Sequence, residues 1–297
     1  MRRGTYSIVA RDPVTGELGV AVQSHWFSVG SVVAWARPGV GAVATQSVAE
    51  VAHGPHMLDR MQDGLDAVGA IAAVLSSDDQ AAYRQLGAVD ARGRAASHTG
   101  LDCIAHAGDV VGEGFACQAN MMAGERVPQA MAAAYAAHEG DLAERLLAAL
   151  LAAERAGGDV RGRQSAALLV VPAQGEPWRR RFDVRVDDHA DPLDELGRLL
   201  RLARAYEMAG EADELSAQGE HGQAAELYGR AARTAPEADE LVFWAGLGVA
   251  GRDLARGVQL VREAIAVKES WRTLLERLSP ELAPSAAAVR KALEQAG

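Results

Sequence analysis

The sequence predicts an α+β fold, two stacked antiparallel sheets with helices on their outer faces, followed by an all-α tail. Three observations predict it. Strand-like runs rich in β-branched residues and stretches with helical spacing come in segregated blocks, which fit stacked antiparallel sheets better than strict strand-helix alternation would. The acidic, proline-containing link Asp187-Asp188-His189-Ala190-Asp191-Pro192 marks a change of composition, and everything after it reads helical. Within that tail a pattern of small and large residues recurs 33 residues on. On this reading residues 1–188 form the α+β domain and residues 189–297 the helical one.

Residues 5–10 and 17–23 are rich in β-branched side chains and read as strands, joined by the turn formers of Arg11-Asp12-Pro13-Val14-Thr15-Gly16. A second pair, residues 31–36 and 41–46, is joined by Arg37-Pro38-Gly39, where proline fixes one turn angle and glycine permits the next. Gly54-Pro55 marks a helix start. Met57, Leu58, Met61, Leu65, Val68 and Ile71 follow at three- and four-residue spacing, the stripe of an amphipathic helix. A short helical stretch near residues 77–82 leads to strands at 85–90, 94–98, 101–106 and 110–118. Helices at 127–137 and 141–156 precede strands at 165–171 and 181–186.

In the tail, Gly219, Ala224, Tyr228, Ala231 and Pro236 stand at the spacing a helix-turn-helix repeat needs. Small residues let two helices approach, tyrosine fills the groove, and proline ends the unit. Asp253, Gly257, Val261 and Ala264 repeat Glu220, Ala224, Tyr228 and Ala231. The pattern resembles tetratricopeptide repeats, with flanking helices near 193–208 and 271–278 expected to cap the stack. An ordinary helical bundle with coincidental spacing is the plainer alternative.

A net charge of −10 argues against nucleic acid and anionic membrane as partners, since both demand clustered positive charge. Arg179, Arg180, Arg181 and Arg185 read as a solvated strand face. Apolar runs such as 146–153 are short and bounded by Arg145 and Glu154, so neither a signal peptide nor a membrane span is expected, and a cytoplasmic location is. Cys103 and Cys117 read as buried thiols, not a disulfide framework. The only lysines are Lys268 and Lys291, so the first domain contains none.

Three groups of residues carry a resemblance. The first is Thr5-Tyr6-Ser7-Ile8-Val9-Ala10-Arg11-Asp12-Pro13 with Gly16-Glu17-Leu18-Gly19-Val20-Ala21-Val22-Gln23-Ser24. The second is Trp35-Ala36-Arg37 with Val43-Ala44-Thr45-Gln46, and the third is Asn120-Met121-Met122-Ala123-Gly124 with Asp187-Asp188-His189. Together they resemble a bacterial family of domains of unknown function, DUF1028, grouped with the N-terminal-nucleophile hydrolases, the superfamily of proteasome subunits and penicillin acylase. The resemblance implies a four-layer αββα sandwich over roughly the first 190 residues.

It also implies a chemistry. In that superfamily the first residue of the first strand supplies a hydroxyl or thiol nucleophile, and its freed α-amino group, with an ordinary pKa of about 8, is the base. Thr5 occupies that place, and Gly4 fits the residue that self-cleaving members have before it. As encoded, residues 1–4 cover the amine. Proteasome-type members also place a lysine beside the nucleophile, and here that route is closed. Arg37 is a candidate for the positive charge, although an arginine cannot share a proton as lysine does. Ser24 and Asn120 are candidate donors to an oxyanion or substrate carbonyl.

His98, Asp102, Cys103 and His106 all have metal-ligating chemistry, but on a strand Asp102 and His106 would face away from Cys103, so structural roles are expected and no metal or cofactor. His25, His53 and His56 are candidates for lining a cleft. The sequence therefore points to an amidohydrolase acting on a small amide or peptide bond, with Thr5 as nucleophile. The alternative is a non-catalytic scaffold that binds a protein or peptide partner through its helical tail. Self-association into a homo-oligomer is expected as well.

Overall fold

The structure, a computed structural model, describes residues 4–295. The chain divides into two compact units, the first ending at Gly197 and the second beginning at Arg198.

The first unit opens with the antiparallel pair β1 (Thr5–Arg11) and β2 (Leu18–Ser24). Asp12 shapes their turn by accepting from the amides of Val14 and Thr15 at 2.9 and 2.8 Å. The expected strand at 31–36 is instead a single helical turn, α1 (Gly30–Val33), followed by the short β3 (Ala34–Arg37). The Val33 amide donates to the Val29 carbonyl at 3.0 Å, and the two side chains, one helical turn apart, both enter the core. β3 pairs with β4 (Gly41–Ser47).

The single amphipathic helix expected next is two, α2 (His53–Gln62) and α3 (Ala67–Leu75). Gly64 adopts φ +104° between them, and Asp66 restarts the helix by accepting from the Gly69 amide at 2.8 Å. A 3₁₀ turn at Ala81–Tyr83 leads to β5 (Arg84–Asp90) and β6 (Ala95–Thr99).

Residues 101–106, expected as a strand, form turns and bends. The expected strand 110–118 is a hairpin of β7 (Gly108–Gly112) and β8 (Phe115–Asn120), because Gly114 takes φ +75° and reverses the chain. α4 (Val127–Ala137) and α5 (Leu142–Arg155) follow, the latter started by a capping box between Asp141 and Glu144. β9 (Ser165–Val171) and β10 (Phe182–Val186) complete the strands.

The strands form a six-stranded sheet in the order β10-β9-β2-β1-β8-β7 and a four-stranded sheet in the order β3-β4-β5-β6. Period-two alternation assigns the layers. On β4, Ala42 and Ala44 join Val9, Leu18, Val20 and Val22 between the sheets, whereas Val43 packs outward with Met57, Leu58 and Ile71 of α2 and α3. On the opposite outer face Gly19 lies against Leu142 and Leu146 of α5. The layers thus run helices, sheet, sheet, helices.

One end of the inter-sheet space is polar. Ser7 donates to Gln46 across the sheets at 2.6 Å, Gln85 donates to the Ala119 carbonyl at 2.9 Å, and Asn120 donates to the Gln85 side-chain carbonyl at 2.9 Å. Gln118 donates to Ser7 at 2.9 Å. All five of these side chains lie in residues at most 1% exposed, so burial without such partners would be costly.

α6 (Pro192–Ala217) runs into the second unit, which continues with α7 (His221–Thr234), α8 (Asp239–Ala250), α9 (Leu254–Val267), α10 (Ser270–Arg277) and α11 (Ala286–Gln295). Tyr228 of α7 clusters with Ala212, Ala224 and Ala245, and its hydroxyl donates to Asp213. A second cluster gathers Phe243, Leu247, Val261, Leu275 and Val289. None of the described helices is long and apolar enough to cross a membrane.

Candidate functional site

β1 presents Thr5 between two neighbours, with Ser24 opposite it on β2 and Asn120 opposite it on β8. Thr5, Ser24 and Asn120 are all at most 1% exposed. The Thr5 hydroxyl donates to Ser24 Oγ at 3.1 Å, and the Ser24 hydroxyl donates in turn to the carbonyl oxygen of Gly4. The side chain beside the Gly4–Thr5 bond is therefore connected by two hydrogen bonds to the carbonyl of that same bond.

The Gly4 carbonyl has a second donor that the sequence reading missed. Arg161 Nη2 reaches it at 2.8 Å. The guanidinium is aimed by Asp159, which accepts from Arg161 Nε at 3.1 Å and from Nη2 at 2.8 Å. This is the two-point fork geometry that arginine makes with a carboxylate. Asp159 also accepts from the backbone amides of His25 and Arg161 at 3.1 and 2.9 Å. With its side chain fully buried, it is a fixed anchor.

Both residues sit on the loop after α5. That loop is tied down where Ala123 donates to the Gly158 carbonyl at 2.9 Å and Val160 to the Met121 carbonyl at 3.1 Å. Space is tight at Gly4. A Cβ there would stand 2.8 Å from both Asp159 carboxylate oxygens, so glycine is the residue the position admits.

Behind β1, Tyr6 donates to Glu154 at 2.8 Å, and burial, reinforced by the Glu154 charge, pushes its phenol well above the ordinary range. Two non-glycine residues beside the site hold left-handed backbone, Ser47 at φ 71° after Gln46 and Met121 at φ 58° after Asn120. Each costs about 1–3 kcal/mol, and strain of this kind concentrates at working sites.

The other predicted residues are placed as follows. Asn120 adjoins Thr5, but its amide donates to Gln85 in the inter-sheet network and not toward the Gly4 carbonyl. Arg37 is not brought to the site. It pairs with Asp59 at 2.9 Å and donates to Gln62 on α2. Its strand partner Gly41 is five residues along β4 from Gln46, whose side chain touches the Thr5 carbonyl at 3.3 Å, a separation of roughly 17 Å at about 3.4 Å per residue.

His53 and His56 line a surface pocket of 310 Å³ with Asp59 and Arg60, and His53 pairs with Asp78 at 2.7 Å. His25 meets the Arg163 carbonyl at 3.2 Å. His98 meets the Ala81 carbonyl at 3.2 Å, while His106 faces Glu125 at 3.5 Å. No cluster able to hold a metal occurs among the described residues. Cys103 and Cys117 are free thiols, both pushed up chiefly by burial. Arg181 and Arg185 are engaged by Glu17 at 3.1 Å and Asp183 at 2.9 Å.

Residues 5–196 match the family described as "Family of unknown function (DUF1028)". The chain belongs to this family. The DUF1028 match begins at Thr5 itself. Among solved structures, protein SPO2555 from Silicibacter pomeroyi, also of the DUF1028 family, is 35% identical with a TM-score of 0.61, covering 66% of this chain and 84% of its own. Anbu (ancestral beta-subunit) from Yersinia bercovieri aligns at 10% identity and a TM-score of 0.33, over 64% of this chain and 90% of its own. No functionally curated protein matches this DUF1028 chain.

Proposed function

We propose that the DUF1028 domain is an N-terminal-nucleophile-type amidohydrolase that first cuts its own Gly4–Thr5 bond and then hydrolyses a small amide or peptide bond. The observation that carries the reading is the relay from the Thr5 hydroxyl through Ser24 to the Gly4 carbonyl oxygen, with Arg161 as second donor to that oxygen.

In the first step Thr5 Oγ1 bonds to the Gly4 carbonyl carbon. Its proton passes to Ser24 Oγ while the Ser24 proton passes to the carbonyl oxygen, so charge never accumulates and no lysine is required. Arg161 supports the electron density on that oxygen. Collapse re-forms the carbonyl and breaks the C–N bond, the proton of the intermediate's hydroxyl passes to the Thr5 nitrogen as it leaves, and an ester to Thr5 results. Water cleaves the ester into the Gly4 carboxylic acid and a chain beginning at Thr5. The new amine then takes the Thr5 hydroxyl proton in each later turnover. Attack on a substrate carbonyl breaks the substrate C–N bond, the leaving amine receives that proton from the Thr5 ammonium, and water hydrolyses the acyl ester to release the acid and restore Thr5. Residues 1–3, which this step would remove, lie outside the described residues.

We read the helices after residue 197 as tetratricopeptide-like. Ala224, Tyr228 and Ala231 of α7 and Gly257, Val261 and Ala264 of α9 are buried in the same register. Glu220 and Asp253 also stand at the equivalent helix starts.

Intact-mass measurement on the untagged protein beside Thr5→Ala tests the hydrolase reading without knowledge of the substrate. Loss of residues 1–4 from the wild type alone, and labelling of Thr5 by a β-lactone, are expected. A wild type that stays whole and unlabelled after prolonged incubation overturns it and leaves a binding scaffold.

A further inference from the structure

The second unit carries a groove of 760 Å³ between α7, α8 and α9, within the ~300–1,000 Å³ range of ligand clefts. Its floor is aliphatic and includes Ala232, Val242, Val249 and Leu260. Three exposed arginines, Arg230, Arg233 and Arg256, stand around it. None of their guanidinium groups makes an ion pair or hydrogen bond among the described residues.

The two carboxylates at the rim are already engaged. Glu226 faces Arg252 at 3.7 Å, and Glu263 accepts from Gln259 at 2.9 Å. Acidic side chains outnumber basic ones 40 to 30 in this chain, so three uncommitted arginines around one apolar trough are a local reversal of its charge.

We propose that this groove docks an acidic peptide segment, its aliphatic side chains on the α7–α8–α9 floor and its carboxylates on Arg230, Arg233 and Arg256. Guanidinium forks match carboxylates in two-point geometry, and the aliphatic floor supplies the burial that charge pairs at a wet rim lack. The groove lining contains no aromatic ring on which a base could stack, which sets single-stranded nucleic acid aside. The proposal is independent of the chemistry at Thr5.

The test uses the full chain and three labelled probes read by fluorescence anisotropy: a short peptide of Glu and Leu, its Lys and Leu counterpart, and oligothymidylate. The acidic peptide should bind, and raised salt should weaken it. Arg230→Glu with Arg233→Glu, or Arg256→Glu alone, should weaken it about tenfold or more. Arg262→Glu, on α9 outside the groove lining, should leave binding unchanged. Circular dichroism checks that each variant is folded, and glutamine replaces glutamate wherever one is not. Absence of acidic-peptide binding, equal binding by the groove variants, equal binding of the basic peptide, or tighter binding of oligothymidylate would each overturn the proposal.

Discussion

Thr5 and Ser24 face one another across the β1–β2 pair, hydroxyl to hydroxyl at 3.1 Å, with the Ser24 proton directed at the carbonyl of Gly4. Two small polar side chains thus form a short wire between a nucleophile and the atom that must receive its proton.

Removing the middle of that wire separates it from the guanidinium. Ser24→Ala is expected to slow cleavage before Thr5 by about 10²–10³-fold, the usual cost of one such donor. Arg161→Met should slow it further still, since the second donor to the Gly4 oxygen goes and Asp159 loses its partner. A time course of intact mass measures both, and a Ser24→Ala rate equal to wild type would remove Ser24 from the mechanism.

Gly4→Ala places a methyl group 2.8 Å from both Asp159 oxygens. The carbonyl must then shift off Arg161, and displacements near 1 Å cost reactions of this kind about 100-fold. The expected outcome is a protein that still folds cooperatively, with a melting temperature lowered by the overpacking, in which the peptide bond before Thr5 stays intact over the period in which the wild type is cut.

Asp78 is held well below the usual carboxylate range, first by hydrogen bonds from Arg84 and further by His53, against the opposing cost of burial. Its stabilisation is therefore complete above an unfolded-state pKa of about 4 and drains away as pH falls toward the folded-state value. Asp78→Asn leaves the buried Arg84 without its anion and should cost about 3 kcal/mol at neutral pH. In urea titrations at pH 7 and below pH 4, the gap between wild type and variant should narrow on the acid side. A constant gap would mean that the pair carries no linkage.

Tyr228→Ala empties the contact with Ala212, Ala224 and Ala245 and leaves Asp213 without its donor. A loss of about 3–5 kcal/mol in chemical denaturation of the second unit is expected. Burial and Asp213 raise this phenol, so the residue stays neutral until strongly alkaline pH, and the loss should be the same from pH 6 to pH 9. A change under about 1 kcal/mol would mean the packing around α7 is not as described.

Much of the first unit was legible because its signals are local. Short β-branched and apolar runs bounded by turn formers mark β1, β2, β4 and β9 without knowledge of the partner strand, and the bounds read for β9 agree with the structure. The misses came where one glycine decides the path, as at Gly64 and Gly114, whose positive φ breaks a pattern that the surrounding apolar residues would have continued. Residues 101–106 carry apolar side chains without pairing, since the Asp102 amide is taken by the Ala82 carbonyl at 2.8 Å. At the site, Thr5 and Ser24 were readable as strand ends. Asp159 and Arg161 were not, because a loop residue acquires its role from what folds against it; the run Gly157-Gly158-Asp159 was the one hint of a constrained turn. Arg37 had the right charge but belongs to the far end of its sheet.

The placement of the carboxamides between the sheets has a mechanical consequence. Aliphatic contacts, being non-directional, permit two sheets to slide by fractions of an ångström at little cost, and the space around Val9, Leu18 and Val89 is of that kind. Hydrogen bonds from Ser7 to Gln46, from Asn120 to Gln85 and from Gln85 to the Ala119 carbonyl do not tolerate such sliding. The sandwich is keyed by directional bonds at the end that holds Thr5. Shape alone aligns the sheets around the aliphatic cluster, whereas beside the threonine both distance and angle between the sheets are fixed, which is the accuracy a reacting hydroxyl needs.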